Sequence, residues 1–341
     1  MTIPYRTQRA IKRCFSAVLA LIVLAVAGTA CWMIWVQRYI IYGADGSVRL
    51  DFDLPPMRPG ILAVPPKAPD VSIYFDREGQ EEIVKPDTTP ELAKLSGYYV
   101  DAEALKDIDT VKSQIQALPA GTAVMLEVKN ILGEFFYSSK VGTYRNSGID
   151  TAKMDELIAY LSQSDKYVIA KFPALRDYHY GLNHVPDGVY HSSGGYLHQD
   201  EKGCYWLNPG SSGTQTYLTQ IVLELKSLGF DEVVLDAFCF PQAENILVNG
   251  DKSQLLSTAA EVLMASCAND RFAVSFLKTE EFTLPDGRGR VYLSGLDAAQ
   301  AEDAALNSGV ENPTVKLVFL TELHDTRFDV FGVLRPLSAA H

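Results

Sequence analysis

Acidic and basic side chains recur at one kind of place in this 341-residue chain, the end of a short apolar segment. Asp101 follows Tyr98-Tyr99-Val100. Glu127 and Lys129 lie at the end of the segment that starts at Ala123. Lys171 and Arg176 lie in and just after Tyr167 to Phe172. Asp236 follows Val233-Val234-Leu235, and Glu322 follows Val315 to Leu320. A buried unpaired charge is costly, so groups placed in this way pair with one another or face a wet cavity. Two carboxylates facing one cavity break a glycosidic bond between them. One donates a proton to the leaving oxygen, and the other attacks the sugar or activates water. Asp236, Glu127 and Glu322 are the candidates for that work. Each has a structural competitor. For Asp236 it is a cap on the following turn, for Glu127 an ion pair with Lys171 on the next strand, and for Glu322 a solvent-facing loop position beside His324 and Asp325.

The segments that carry these groups alternate with helical patterns. Helical apolar spacing occurs at Ile108, Val111, Ile115 and Leu118, again over Thr151 to Leu161, and again over Tyr217 to Leu228, which stops at Gly229. Leu255 to Cys267 is a further helix, followed by a strand over Phe272 to Leu277. Strands are expected at Val291 to Leu296 and Val315 to Leu320, with an Ala-rich helix over Asp297 to Leu306 between them. Phe328 to Leu334 is the candidate eighth strand. Two departures from strict alternation stand in the C-terminal third. A Pro285-Asp286-Gly287 turn replaces a helix, and no helix precedes the last strand. Alternation implies parallel strands joined by right-handed crossovers. Seven or eight such units predict an α/β fold, a (β/α)8 TIM-like barrel irregular in its C-terminal third, whose active site lies at the strand C-termini. The rival is an open doubly wound sheet, but no GxGxxG follows the first strand, so no dinucleotide site is expected.

The loop from Arg176 to Gly213 is the longest after any strand. It carries Tyr178, His179, Tyr180, Asn183, His184, Tyr190, His191, Tyr196, His198, Tyr205, Trp206 and Asn208. Flat aromatic faces stack on sugar rings, and amides bind hydroxyls. Tyr205, Trp206 and Asn208 join Asp101, Lys129, Lys171 and Arg176 as substrate-binding candidates. No HExxH or close histidine pair is present, and no metal or other cofactor is expected. A Gly-x-Ser-x-Gly nucleophile elbow is absent. Ser211-Ser212-Gly213 reads as a turn, with Thr214 as the N-cap of the helix after it.

Composition sets the surroundings. The formal net charge of −12 argues against nucleic acid as a partner. Residues 1–13 contain Arg6, Arg9, Lys12 and Arg13 and no acid, and residues 14–36 run without a charge. About 20 apolar residues span a bilayer. A basic cytoplasmic segment (1–13), a transmembrane helix or signal anchor (14–36) and an outward-facing remainder are expected, which places a single-pass protein in the cell membrane with its C-terminal domain extracellular. A cleaved signal peptide and a lipoprotein at Cys31 are the alternatives, and both also export the bulk of the chain. Residues 37–95, rich in proline, read as a stalk or wrap, and 96–341 as the barrel domain. The five cysteines form no CxxC and are expected as free thiols.

The runs Tyr167-Val168-Ile169-Ala170-Lys171, Tyr205-Trp206-Leu207-Asn208-Pro209 and Leu228-Gly229-Phe230-Asp231-Glu232-Val233-Val234-Leu235-Asp236 through Phe240-Pro241 resemble a family of glycoside hydrolase-like barrel domains found in exported bacterial proteins. Gly97-Tyr98-Tyr99-Val100 and Met125-Leu126-Glu127-Val128-Lys129-Asn130 extend the resemblance. It implies a barrel that acts on a cell-envelope or extracellular polysaccharide, or on a peptidoglycan-type glycan. The chain departs from that family's pattern in two places. Glu127 and Asn130 stand where Asp and an acid are usual, and Ala237, Phe238 and Cys239 stand where an aromatic, an aliphatic and an Arg are usual. The lost Arg would have fixed a carboxylate or a sugar hydroxyl, so a non-catalytic glycan-binding or scaffold module is the alternative.

Overall fold

A computed structural model describes residues 91–278 and 283–340, together with residues 40–42 and 48–50 and the single positions 29 and 32. The chain divides into two units, residues 1–84 and 85–341. In the first, Ile40–Tyr42 pairs antiparallel with Val48–Leu50. The expected segment 1–13, all of 14–36 except positions 29 and 32, and most of 37–95 lie outside the described residues. No helix among the described residues is long and apolar enough to cross a membrane.

The second unit holds a closed barrel of eight parallel strands in sequential order. They are β1 (Ser96–Val100), β2 (Ala123–Glu127), β3 (Tyr167–Pro173), β4 (Glu232–Asp236), β5 (Ala273–Leu277), β6 (Val291–Ser294), β7 (Leu317–Leu320) and β8 (Gly332–Pro336). Strand β8 pairs with β1 and closes the ring. The helices between strands are α1 (Ile108–Ala117), α2 (Thr151–Ser162), α3 (Tyr178–Asn183), α4 (Ser212–Ser227), α5 (Lys252–Cys267), α6 (Ala301–Asn307) and α7 (Pro313–Lys316). The closed ring excludes the open doubly wound sheet.

Capping residues set where the long helices begin. Asp107, Asp150 and Asp251 each accept from backbone N–H groups of the first turn of α1, α2 and α5. Helix α4 starts earlier than the apolar stripe suggests. Its N-cap is Ser211, which accepts from Gly213, whereas Thr214 is already helical and donates to the Asp187 carbonyl. Gly229, at φ +92°, ends α4 in the left-handed region that favours glycine. The irregular third is as expected in outline. No helix lies between β5 and β6 among the described residues, and a single 3-10 turn, Phe328–Val330, precedes β8. Residues 315 and 316, expected in a strand, close the short helix α7 that starts at Pro313. Cys204, Cys239 and Cys267 are buried and in no disulfide.

Period-two alternation along the strands sorts the side chains. Val124, Leu126, Val168, Ala170, Val233 and Leu235 face the helices and join the outer core. Ala123, Met125, Ile169, Val234, Tyr292, Val318 and Leu334 pack against one another inside the ring. Below that layer, Glu232 is fully buried. Its carboxylate forms an ion pair with Arg290 and accepts from Tyr167 and Tyr292 hydroxyls at 2.9 Å each and from Ser275. Arg290 also donates to the carbonyls of Ala93 and Val315. Four strands or their leading residues thus meet at one carboxylate.

Glu232→Gln removes one partner of this buried pair and leaves the Arg290 charge unmatched. It should cost about 3–5 kcal/mol, read from urea unfolding, while the apolar double variant Glu232→Leu/Arg290→Met should cost clearly less.

Candidate active site

The same alternation that buries Met125, Ile169 and Val234 brings Glu127, Lys171 and Asp236 to the next layer up, at the C-terminal mouth. Tyr99 and Asp101 arrive from β1, Leu277 from β5, Ser294 from β6, and Leu320 and Glu322 from β7. Together they line a cavity of about 500 Å³. Three candidate carboxylates, Asp236, Glu127 and Glu322, therefore share one cavity with Asp101 and Lys171.

Lys171 organises this cavity. Glu127 and Lys171 are register partners on β2 and β3, and Lys171 Nζ lies 2.9 Å from Glu127 Oε1 and 3.5 Å from Asp236 Oδ2. Burial works against its charge, but the two carboxylates outweigh that effect and hold its proton above the usual lysine range. Both oxygens thus contact one ammonium. Glu127 is held at both ends, since its second oxygen accepts from Ala102 N–H at 2.9 Å. Asp236 has one local tie, from the N–H of Ala237 at 2.6 Å, which stops short of the expected cap on the following turn. Glu322 is exposed and has no hydrogen bond or ion pair among the described residues.

Tyr99 was not among the sequence candidates. Burial raises its hydroxyl pKa first, and the charges of Glu322 and Asp101 add to the rise. It therefore keeps its O–H and stands as a donor near Glu322. The signal was in the sequence as parity, because Tyr99 lies two residues before Asp101 on one strand face. Asp101 also caps the turn that follows it, accepting from Ala104 N–H at 2.9 Å.

The remaining candidates lie elsewhere. Strand β2 ends at Glu127, and Lys129 bridges to Phe135 beyond it, so strand parity no longer applies. Lys129 is buried against Asp177 Oδ2 at 2.6 Å, and Tyr217 donates to the same oxygen at 2.9 Å. It cannot touch a substrate, and its placing as a binding residue is corrected to that of a buried structural cation. Arg176, past the end of β3, pairs with Asp200 at 2.6 Å beside the Trp206 ring. Trp206 donates its indole N–H to Asp200 at 3.0 Å. Tyr205 stacks on Tyr178, and Asn208 Oδ1 accepts from Gly210 N–H in a local turn. Arg176, Tyr205, Trp206 and Asn208 build the long loop and do not line the mouth. That loop is fastened to the one after β4, where Tyr190–His191 pairs with Ile246–Leu247. Among the described residues, no three His, Cys, Asp or Glu side chains cluster as a metal site requires.

Residues 97–271 match the family described as "Putative glycosyl hydrolase domain", and the chain belongs to that family. No curated protein matches it. Among solved structures, a hypothetical protein from Ruminiclostridium thermocellum is 17% identical, covering 52% of this chain and 96% of its own, with a TM-score of 0.45. An alpha-galactosidase from Lactobacillus brevis is 12% identical, at 72% and 38% coverage and a TM-score of 0.46, so this chain spans well under two thirds of that enzyme. A variant of the glycoside hydrolase domain of PelA from Pseudomonas aeruginosa is 12% identical, at 74% and 97% coverage and a TM-score of 0.43. These likenesses are weak, and the fold assignment rests on the strand order.

Ala237, directly after Asp236, has φ +47°. The left-handed region costs an L-residue roughly 1–2 kcal/mol, while glycine gives back roughly 0.5–1 kcal/mol in chain entropy. Ala237→Gly should therefore be neutral or more stable by up to about 1 kcal/mol in denaturant unfolding, and the β-branched Ala237→Val should be less stable. Lys171→Met should destabilise by about 1–3 kcal/mol at pH 7, the lower end of buried-pair losses because the side chain is partly exposed. A raised lysine pKa gives stability that is full below the ordinary value of 10.5 and lost as pH rises through the folded-state value. The gap between wild type and Lys171→Met should thus hold from pH 7 to pH 9 and shrink only above 10.5.

Proposed function

We propose that this chain hydrolyses a glycosidic bond at the barrel mouth, in a cell-envelope or extracellular polysaccharide or a peptidoglycan-type glycan. The observation that carries this reading is the convergence of Asp236, Glu127 and Glu322 with Lys171 on one cavity. In this reading Asp236 works in its charged form, as nucleophile or as the base that activates water, because the Lys171 ammonium complements negative charge there. Glu322 donates the proton to the leaving oxygen, since it has no cation beside it and faces solvent through which it can be reprotonated. Strand position alone favoured the opposite division, with Asp236 as acid and Glu322 as nucleophile. Glu127 positions Lys171. The charge-free run at 14–36 supports an anchored, outward-facing placement of the domain.

A second reading, a glycan-binding module without cleavage, is favoured by one feature. Cys239, buried, stands where the resemblance calls for an Arg, and Lys171 is the single cation lining the mouth among the described residues.

The test uses the full-length chain with peptidoglycan and a panel of polysaccharides, scored by new reducing ends. Asp236→Asn should lower the rate at least about a hundredfold on every substrate. Glu322→Gln should do the same on natural glycans yet retain much of its activity on an aryl glycoside with a good leaving group, which needs no proton donor. If Asp236→Asn is the variant spared by the good leaving group, the two roles are reversed. Retention of a glycan without any release favours the module.

A further inference from the structure

A larger cavity, of about 710 Å³, lies to the side of the mouth and shares none of its lining residues. It is formed by the loop after β2, by α3 with the turn after it, and by the first half of α4. Its volume falls within the roughly 300–1,000 Å³ of small-molecule sites.

The walls are tied together by buried contacts. Asp177 and Tyr217 line the cavity, Tyr217 donates to Asp177, and Asp177 also pairs with Lys129, buried behind it. Tyr180 stacks on Tyr217 with ring centroids 3.9 Å apart and on His184 at 4.0 Å. Gly133, at φ +83°, lies so close that a Cβ there would stand 2.2 Å from Asp177 Oδ1, so the wall and the chain crossing it fit only with glycine.

The surface offered to a ligand has a distinct chemistry. Tyr144 is 40% exposed, and the His179 ring lies parallel to it at 3.6 Å, so a backed aromatic face borders the cavity. Asn183, Thr216 and Gln220 are exposed polar groups on its rim. Asp187 is half-buried, accepts from Tyr180 at 3.1 Å and from Ser211, and has no cation partner among the described residues. No Lys or Arg side chain lines the cavity, because Lys129 is hidden behind Asp177. An aromatic face with amides, hydroxyls and an unneutralised carboxylate suits a flat, hydroxyl-rich ring and repels an anion.

We infer that this lateral cavity is a second saccharide-binding site, separate from the mouth and selective for sugars without acidic groups. The inference rests on the reading of the chain as a glycan-acting protein, but it assigns a place and a selectivity that the mouth does not have. The site would hold a polymer while the mouth acts on it.

The experiment is calorimetric titration of the full-length chain, and of variants, with a neutral hexose tetrasaccharide and with a uronic acid tetrasaccharide of the same length. Wild type and Asp236→Asn should bind the neutral probe equally. Tyr144→Ala and Gln220→Ala, both exposed and outside the lining of the mouth, should weaken it about tenfold or more, and Tyr144→Phe should restore most of the affinity. The uronate should bind at least about tenfold more weakly than the neutral probe. Binding of the neutral probe that survives Tyr144→Ala and Gln220→Ala, or that is abolished by Asp236→Asn, overturns the inference, as does equal binding of the uronate. Cleavage at the mouth without lateral binding overturns this inference alone. Lateral binding with an inert mouth overturns the hydrolase reading alone.

Discussion

The Glu232–Arg290 pair at the closed end of the barrel is the interaction on which the rest depends. A carboxylate with no exposed surface is tolerable only when its charge is matched and its lone pairs are used. Here one carboxylate takes Arg290, two tyrosine hydroxyls and a serine. Those groups come from β3, β5, the lead-in to β6 and β6 itself, while Glu232 starts β4. The pair therefore fixes how four neighbouring strands start, and the layers above inherit that register. Asp236 reaches the mouth because it lies four residues along the same strand as Glu232, on the same face.

The opposite end of the barrel answers the same electrostatic demand less completely. Lys171 matches Glu127 closely and Asp236 more loosely. Glu127 is doubly held and Glu322 is not held at all. The mouth thus grades its carboxylates from fixed to loosely engaged to unpaired. A fully satisfied cluster such as the one around Glu232 rigidifies and does nothing else. A partly satisfied one retains groups that can exchange protons or bond to a substrate, and it gives up some stability to do so. The left-handed Ala237 beside Asp236 fits that pattern, since strained backbone is kept where the surroundings overdetermine it.

Parity made most of this legible in the sequence. Apolar segments ending in Asp101, Glu127, Lys171, Asp236 and Glu322 implied strand C-termini, and the alternation of strand and helix implied a closed ring. The structure joins those five around one cavity. What parity cannot reach is the chain beyond a strand's last residue. Lys129 keeps the spacing of Glu127 but lies past the end of β2, where the backbone turns over β3, so spacing misplaced it. Arg176, Tyr205, Trp206 and Asn208 lie off the mouth for a related reason. Their partners are Asp200, Tyr178 and Gly210, contacts made inside a long loop whose path no periodicity describes. The start of α4 was misjudged because its apolar stripe begins a turn after the cap, and Thr214 serves Asp187 instead.

The lateral cavity was not legible for the same reason, as it is assembled from two loops and a helix end. Its existence nonetheless clarifies the aromatic richness of the loop after β3. Tyr and His residues there were read as sugar-binding groups, and Tyr180 and His179 line the side cavity and not the mouth. A cavity walled by flat rings and a cavity of incompletely neutralised charges need different surroundings. Lys129 leaves the first without a cation by lying buried behind Asp177, and Lys171 remains partly exposed between two acids in the second. Lys129 lies just past the end of β2 and Lys171 within the neighbouring β3, and what separates a wall from a solvent-reached cavity is their burial.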